Sequence, residues 1–571
     1  MQLPSNLRHI LSVVAMFAVI LVGCDSGGSG GGSDVPEPSI TGVSPTEGAI
    51  GTELTLEGSD FETGANVTVD GVAASSVTVE SPTRLFAVVP SGITTETPVD
   101  VTVLNNESKT ASEADAFTAI PPKLSFVNSA TRPSGQVGST VILDGDAFGD
   151  VQGTGTVYFN YDESAGTGIA ATIQADDDWT NSFIVTTVPS GASDGPVVVE
   201  TEVGVSESIP FNVTDGASFS PSNINWTQTS SLPTGVSSHD ASFAQFENAN
   251  GDTKRYVYVT GGIDAQDNAL TQAIGGELVQ QGEVSSWAQV TDLPNSLAHH
   301  ATVAATRFNS RVDTTGHLYS IGGIDASSNV VSSVNRAQIN PDGTLGTWNS
   351  ETALPQPLHN ADAVLFRSAI YVVGGATTGN APVATVYKAE IDTSGTIGTW
   401  EQQQDLPTAI AHHGLVSFGG YLYTVGGNTA AVDPNSNTNS NTRTGAISNG
   451  EINLRTGEIS GWSANPNELG KSREKHSTLV SGGFVFVSSG IYSAAAQGSS
   501  ENTYAQINSD GTIGSFSGAT GSNTLLSEGG NNLYNQAAVS YTDSQGVAHV
   551  LIIGGDDVNV PGNKQADVLY Y

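Results

Sequence analysis

Residues 369–400 read AIYVVGGATTGNAPVATVYKAEIDTSGTIGTW, and this stretch decides the fold. An apolar run closes on Gly374-Gly375, a polar interval follows, and a second alternating run leads to Gly395, five residues before Trp400. A glycine at that offset between two alternating runs suits a tight hairpin, because it takes φ > 0 without a Cβ clash. The phrase recurs along the chain. Glycine pairs close apolar runs at Gly261-Gly262, Gly322-Gly323, Gly426-Gly427 and Gly554-Gly555, with a degraded Ser489-Gly490, at spacings of 52 to 65 residues. Gly282, Gly343, Gly457 and Gly511 stand the same five residues before Trp287, Trp348, Trp462 and Phe516. Leu232-Pro233, Leu293-Pro294, Leu354-Pro355 and Leu406-Pro407 then end outer strands and start crossings.

A period of this length suits one four-stranded unit per repeat, and the phrases resemble the kelch family of β-propellers. The resemblance implies an all-β chain whose residues 217–571 form a six-bladed ring. A ring must join its first and last blades or leave sheet edges unpaired. The segment NINWTQ around Trp226 is an outer strand with no partner before it, while the chain ends at ADVLYY, a third strand. The Trp226 strand is therefore expected to lie beside residues 568–571 and complete the last blade.

Ahead of the ring, residues 38–120 and 121–216 read as two copies of another module. PTEGAIGTELTLEGSDF and a later VVPSG in the first answer to PSGQVGSTVILDGDAF and TVPSG in the second. The offset between copies grows from 87 to 99 residues, which places 12 extra residues in the second copy, within 163–178. Alternating Val and Thr with Gly and Pro punctuation indicates an immunoglobulin-like sandwich. The phrases resemble the IPT/TIG family, whose domains act as spacers or binding modules.

Residues 1–23 stand apart from the fold. Arg8 precedes an apolar run over 10–22, broken only by Ser12, too short to span a bilayer and the length of a signal-peptide core. Leu21-Val22-Gly23-Cys24 resembles the bacterial lipobox, which implies a lipid on Cys24, a membrane partner through that lipid and a place in the bacterial cell envelope, periplasmic or at the surface. Each buried CH₂ of an acyl chain contributes ~0.8 kcal/mol, so more than one chain anchors. Residues 24–37 then form a Gly/Ser-rich tether.

Cys24 is the only cysteine, so a mature chain has no internal disulfide and no thiolate metal site. That excludes the copper chemistry of galactose oxidase, a propeller of similar repeat type that needs a tyrosine cross-linked to cysteine. The formal charge is −39, with seven lysines in 571 residues. Such an excess repels nucleic acid and anionic membrane surfaces, and it favours a salt-rich habitat, where screening falls to about 3 Å at 1 M.

Histidines gather at one place in the repeat. His239, His299, His300, His359, His412, His413 and His476 fall 11 to 14 residues after the aromatic of the outer strand, where the chain enters each innermost strand. With Arg473 they are the candidate ligand-binding residues. Histidines around one axis suit a metal or a sugar, but recurrence at a fixed repeat position favours packing, since a catalytic site needs different residues in different roles. No metal site and no cofactor are expected. Asp144, Asp146 and Asp150 resemble the start of a calcium loop, yet Gly155 stands where its bidentate Glu belongs. The polar run DPNSNTNSN at 433–441 lacks the Gly and the Glu of such a loop. NPDGTLGTW and NSDGTIGSF resemble the sialidase Asp-box with one residue too many, and no nucleophile elbow, HExxH or phosphate loop occurs.

Long, variable polar loops after the glycine pairs, among them 428–446, make one face of a propeller a recognition surface. The reading is a lipid-anchored envelope protein that binds a glycan or a surface protein through that face. The alternatives are a carbohydrate-processing enzyme, resembling the kelch-type sialic acid mutarotases, or a structural adhesion component.

Overall fold

The computed structural model describes residues 37–570 apart from 107–108, 128–133, 176–177, 214–225, 248–252, 280–282, 307–315, 393, 432–441, 455, 493–500, 519–532, 543–547 and 558–563. The expected signal peptide, Cys24, the expected tether to residue 36, Gly282 and the run at 433–441 lie outside the described residues. The chain is all-β, with no α-helix among those residues.

Residues 39–119 form two sheets. One orders its strands Ser39–Ser44, Glu53–Ser59, Arg84–Val88, Val77–Ser81; the other Glu47–Gly48, Thr110–Ala119, Pro98–Leu104, Asn66–Val69, Val72–Ala73. Alternation points Leu54, Leu56, Leu85 and Ala87 from one sheet at Val67, Val69, Val101 and Val103 from the other. Residues 123–213 repeat the arrangement. Lys123–Val127, Thr140–Asp146 and Phe183–Thr187 face a sheet of Ser134–Gly135, Ile209–Val213, Gly195–Glu200, Thr156–Asp162 and Thr167–Ala170. The glycine shared by EGSDF and DGDAF has one cause in both units. A Cβ on Gly58 would lie 1.8 Å from the Ser39 carbonyl oxygen and 2.5 Å from the Phe61 ring; on Gly145 it would lie 2.1 Å from that of Lys123 and 2.3 Å from the Phe148 ring. The second copy lengthens the hairpin that Asn66–Val69 and Val72–Ala73 make in the first, as Thr156–Asp162 with Thr167–Ala170, and it carries Trp179, whose indole N–H donates to the Phe148 carbonyl at 3.0 Å.

Six four-stranded antiparallel sheets follow. Their innermost strands are Asp240–Glu247, Ala301–Ala305, Asp362–Phe366, Gly414–Phe418, Ser477–Ser481 and Ala537–Thr542, for sheets one to six in that order. Each touches the next, and the sixth touches the first, so the sheets close a cycle. The sixth sheet takes its outer strand from the other end of the segment. Thr227–Gln228 pairs antiparallel with Val568–Tyr570, Thr227 opposite Tyr570, and Trp226 beside it packs with Phe486, Val550, Ile552 and Leu569.

The repeated phrase is a set of fasteners between neighbouring sheets. Before four of the glycine pairs stands a tyrosine, three residues ahead, that donates its hydroxyl to the hairpin glycine of the following sheet: Tyr258 to the Gly343 carbonyl at 2.9 Å, Tyr319 to Gly395 at 2.6 Å, Tyr371 to Gly457, and Tyr423 to Gly511 at 2.9 Å. At sheet five the position is Phe486, which lies 6.3 Å from the Trp226 ring and meets no such hairpin. The indole N–H groups of Trp287, Trp348, Trp400 and Trp462 donate to carbonyls of Ser230, Thr291, Thr352 and Gln404, pinning each outer strand to the crossing before Leu-Pro.

The second sandwich is fastened to this cycle. Arg367, in the turn after Asp362–Phe366, donates through Nε to Asp144 Oδ1 at 3.1 Å and through Nη1 to the Leu454 carbonyl at 2.8 Å, and its guanidinium lies 3.9 Å from the Phe183 ring centre. Burial raises the Asp144 carboxyl, and the Arg367 charge opposes that rise. Asp150 reaches the other way and accepts the Glu53 N–H at 3.0 Å. These two aspartates are thus committed to different neighbours.

Candidate functional site

Two residues before each innermost strand the chain turns through the left-handed region. Ser238, His299, Asn360, His412, Lys475 and Asn535 occupy these positions with φ of 49–55°. Their backbones bond head to tail in a closed ring. The N–H of His299 donates to the Ser238 carbonyl at 2.9 Å, Asn360 to His299 at 2.9 Å, His412 to Asn360 at 3.2 Å, Lys475 to His412 at 3.1 Å, Asn535 to Lys475 at 3.0 Å, and Ser238 to Asn535 at 3.0 Å. The ring frames one mouth of the space enclosed by the innermost strands.

The candidate histidines divide into two registers against this ring. His239, His300, His413 and His476 follow it by one residue and sit between sheets. A Cβ on the first glycine of the preceding sheet's pair would meet their rings: Gly554 lies 2.8 Å from His239, Gly261 2.6 Å from His300, Gly374 2.9 Å from His413 and Gly426 2.7 Å from His476. The second glycine of each pair faces the Cβ of its own sheet's residue at this register, as Gly323 does with His300 at 2.7 Å. That is why the pair is double. Where the first glycine becomes Ser489, the facing residue is Gln536, which donates to the Ser488 carbonyl at 3.0 Å. Burial holds His239 and His413 down at about 4, and His300 and His476 at about 3, so all four are neutral wedges near pH 7.

His299, His359 and His412 belong elsewhere. His299 and His412 are ring members, and His359 immediately precedes the ring member Asn360. His299 Nδ1 lies 3.0 Å from Asn360 Oδ1, and Asn360 Nδ2 lies 2.7 Å from His359 Nδ1. His412 is held well below its ordinary value by burial first, then by Lys475, His299, His359 and His413. Lys475 is buried with its ammonium 5.7 Å from the Tyr534 ring centre. Arg473 is outside this group. Only 1% exposed, it donates to the Ser489 carbonyl at 3.1 Å and braces the degraded glycine pair.

Behind the ring the innermost strands enclose a cavity of ≈ 390 Å³. Asp240 and Asp362, at the first position of strands in sheets one and three, line it with His476 and Gln536. Asp240 accepts the Thr302 N–H at 2.6 Å and Asp362 the Leu415 N–H at 2.8 Å, capping the free edge of the next strand. Burial, and for Asp240 the second carboxylate, pushes them up to about 8 and about 6. Beside the mouth a buried Glu474 binds Arg443 Nε at 2.7 Å and accepts from Asn428 at 3.0 Å.

The Asp-box-like turns have a local use. Asp342 and Asp510 accept the backbone N–H and hydroxyl of Thr344 and Thr512, which closes each hairpin on itself.

Sequence reasoning passed over Ser238, Asn360, Lys475 and Asn535, and the two channel aspartates. A signal was present: residues tolerant of φ > 0, such as Asn and His, two positions before an apolar run.

Residues 38–119 match the IPT/TIG domain model. The match spans the first sandwich. The chain is also similar to a kelch-repeat protein, beta-scruin of Limulus polyphemus, at 31% identity over 96 residues. That alignment covers 17% of this chain and 9% of beta-scruin.

Proposed function

We propose that this chain is a bacterial envelope binding protein: a six-bladed kelch-type propeller behind two IPT/TIG-type modules, held to a membrane by lipid on Cys24, that recognises a glycan through the face carrying the ring mouth. One observation carries the reading. Asn360 and Arg367 lie at opposite ends of the strand Asp362–Phe366, so the sandwich docked through Arg367 occupies one face of the cycle and leaves the ring and the loops after the glycine pairs on the other. A TIG domain and a kelch-repeat likeness support an interaction or adhesion role. Variable loops on a rigid closed scaffold suit recognition.

The test is a glycan array probed with the full chain in detergent. The expected result is binding to a restricted set of glycans, lost at unchanged melting temperature when residues 431–441 are replaced by a short turn that keeps Asn428 and Arg443 on Glu474. No glycan bound above background would refute the reading. Conversion of a bound sugar, abolished by substitution of His299 or His412, would replace it with the enzyme.

A further inference from the structure

We propose that Arg367 is a latch. It holds the second sandwich on the cycle of sheets by entering a socket on the sandwich's outer face, a socket that accepts an incoming arginine in the second copy and is plugged in the first.

The turn that carries Arg367 is set against its own comfort. In sheets three, four and five the innermost strand returns through two residues, Arg367-Ser368, Gly419-Gly420 and Gly482-Gly483. The first residue of each lies at positive φ, 54°, 57° and 56° in that order. Two-residue hairpin turns need that sign there, and glycine meets it without a Cβ clash. The two sister turns use glycine; sheet three keeps a long side chain instead. Strain retained at one of three equivalent places points to a use for the side chain. Arg367 spends it away from the turn, on Asp144 at 3.1 Å, on the Leu454 carbonyl at 2.8 Å and over the Phe183 ring.

Strand register shows what the arginine enters. Asp144 lies opposite Phe183, and Ile142 opposite Val185. In the first copy the matching pairs are Glu57 with Arg84 and Thr55 with Phe86. That copy supplies its own cation: Arg84 Nε lies 3.3 Å from Glu57, and the guanidinium 5.2 Å from the Phe86 ring centre. In the second copy Phe183 stands where that arginine would be, and the cation comes from the cycle. The neighbouring position changes in the same sense. Thr55 gives way to Ile142, which is 1% exposed and joins a cluster with Phe366, Ala369 and Ile452. A carboxylate beside a ring face suits a guanidinium, which pairs with the one and stacks on the other. Without Arg367, Asp144 is either buried with no counter-charge or returned to water as the sandwich swings away, and the second state is the lower in free energy.

Distance measurements by pulsed electron resonance decide the matter, on the full chain carrying Cys24→Ser and spin labels at Glu163→Cys on the sandwich and Glu401→Cys on sheet three, both exposed positions. The parent should give one narrow distance distribution. Arg367→Gly, which gives the turn the residue of its sisters, should widen it at least twofold while the circular-dichroism spectrum stays that of the parent. Arg367→Asn, at home in the left-handed region, serves if Gly misfolds. Phe183→Arg imports the first copy's plug and should widen the distribution by an independent route. Arg84→Phe, the converse exchange in the first copy, should leave it narrow. A broad distribution in the parent, or a narrow one in a folded Arg367 variant, would overturn the latch. A folded Phe183→Arg protein that stays narrow would overturn the socket.

Discussion

At the scale of single residues, the repeated phrase is a code for seams. Tyr319 illustrates it: its hydroxyl spans from one sheet to the Gly395 carbonyl of the next. Tyr319→Phe should cost about 1–2 kcal/mol, the loss of one buried hydrogen bond with its acceptor left wanting. The reverse change, Phe486→Tyr, should also destabilise, because the added hydroxyl meets Trp226 rather than a hairpin carbonyl. Urea denaturation of the two variants checks both, and a stabilised Phe486→Tyr would contradict the account of the seam. The tyrosine and the double glycine were legible as a motif. That the first glycine serves the neighbouring sheet's histidine was not, because its partner lies in the next repeat and only the fold brings them together. The ring was hidden for another reason. A backbone conformation that admits Ser, His, Asn and Lys leaves no uniform letter to read.

At the scale of elements, the strand Thr227–Gln228 closes the cycle with two residues of pairing and one tryptophan. Counting strands in the sequence was enough to place it, since ADVLYY left a sheet of three. Burial rather than pairing should hold it. Trp226 is 4% exposed, and Trp226→Ala should cost about 3–5 kcal/mol and free a sheet edge for self-association. Trp462, whose strand belongs to a sheet built from consecutive strands and whose partly buried indole is tied to the crossing at Gln404, should cost less on the same change. Melting curves with size-exclusion chromatography separate the outcomes. A Trp226→Ala protein as stable and monodisperse as the parent would mean the closure is not structural. The hairpin lengthened at Thr167–Ala170 shows the opposite kind of legibility: the extra length followed from the offset between the two modules, but the Trp179 bond to the Phe148 carbonyl did not.

At the scale of the whole molecule, buried acids and bases set opposing pH dependences. His239, His300, His413 and His476 have folded values near 3 to 4 against 6.5 when unfolded, so the unfolded chain binds more protons below pH 6.5 and stability is lost on acidification. Asp240 and Asp362, raised to about 8 and about 6 from 3.8, act in reverse, and their contribution is lost as pH rises. Each group contributes about 1.4 kcal/mol per pH unit inside its window. Between pH 4 and 6 four imidazoles outweigh two carboxyls; above 6.5 only Asp240 remains. Stability should therefore peak between about pH 6 and 7. Urea midpoints from pH 4.5 to 9 locate the peak, and Asp240→Asn should abolish the decline on its alkaline side. A midpoint still rising at pH 8 would show that Asp240 is ionised in the folded protein.

The ring of six backbone hydrogen bonds at the mouth has a further consequence. Each N–H points at the carbonyl of the ring residue before it, and around a closed cycle the in-plane components of these dipoles cancel. A helix terminus projects a fixed partial charge along its axis, but this loop of dipoles projects none. The backbone is electrically silent at the place where it is most ordered. The potential a visitor meets there is therefore written by side chains, the six of the ring together with the Glu474 and Arg443 pair beside it and Asp240 and Asp362 behind it, and substitutions among them could rewrite it with the peptide geometry untouched.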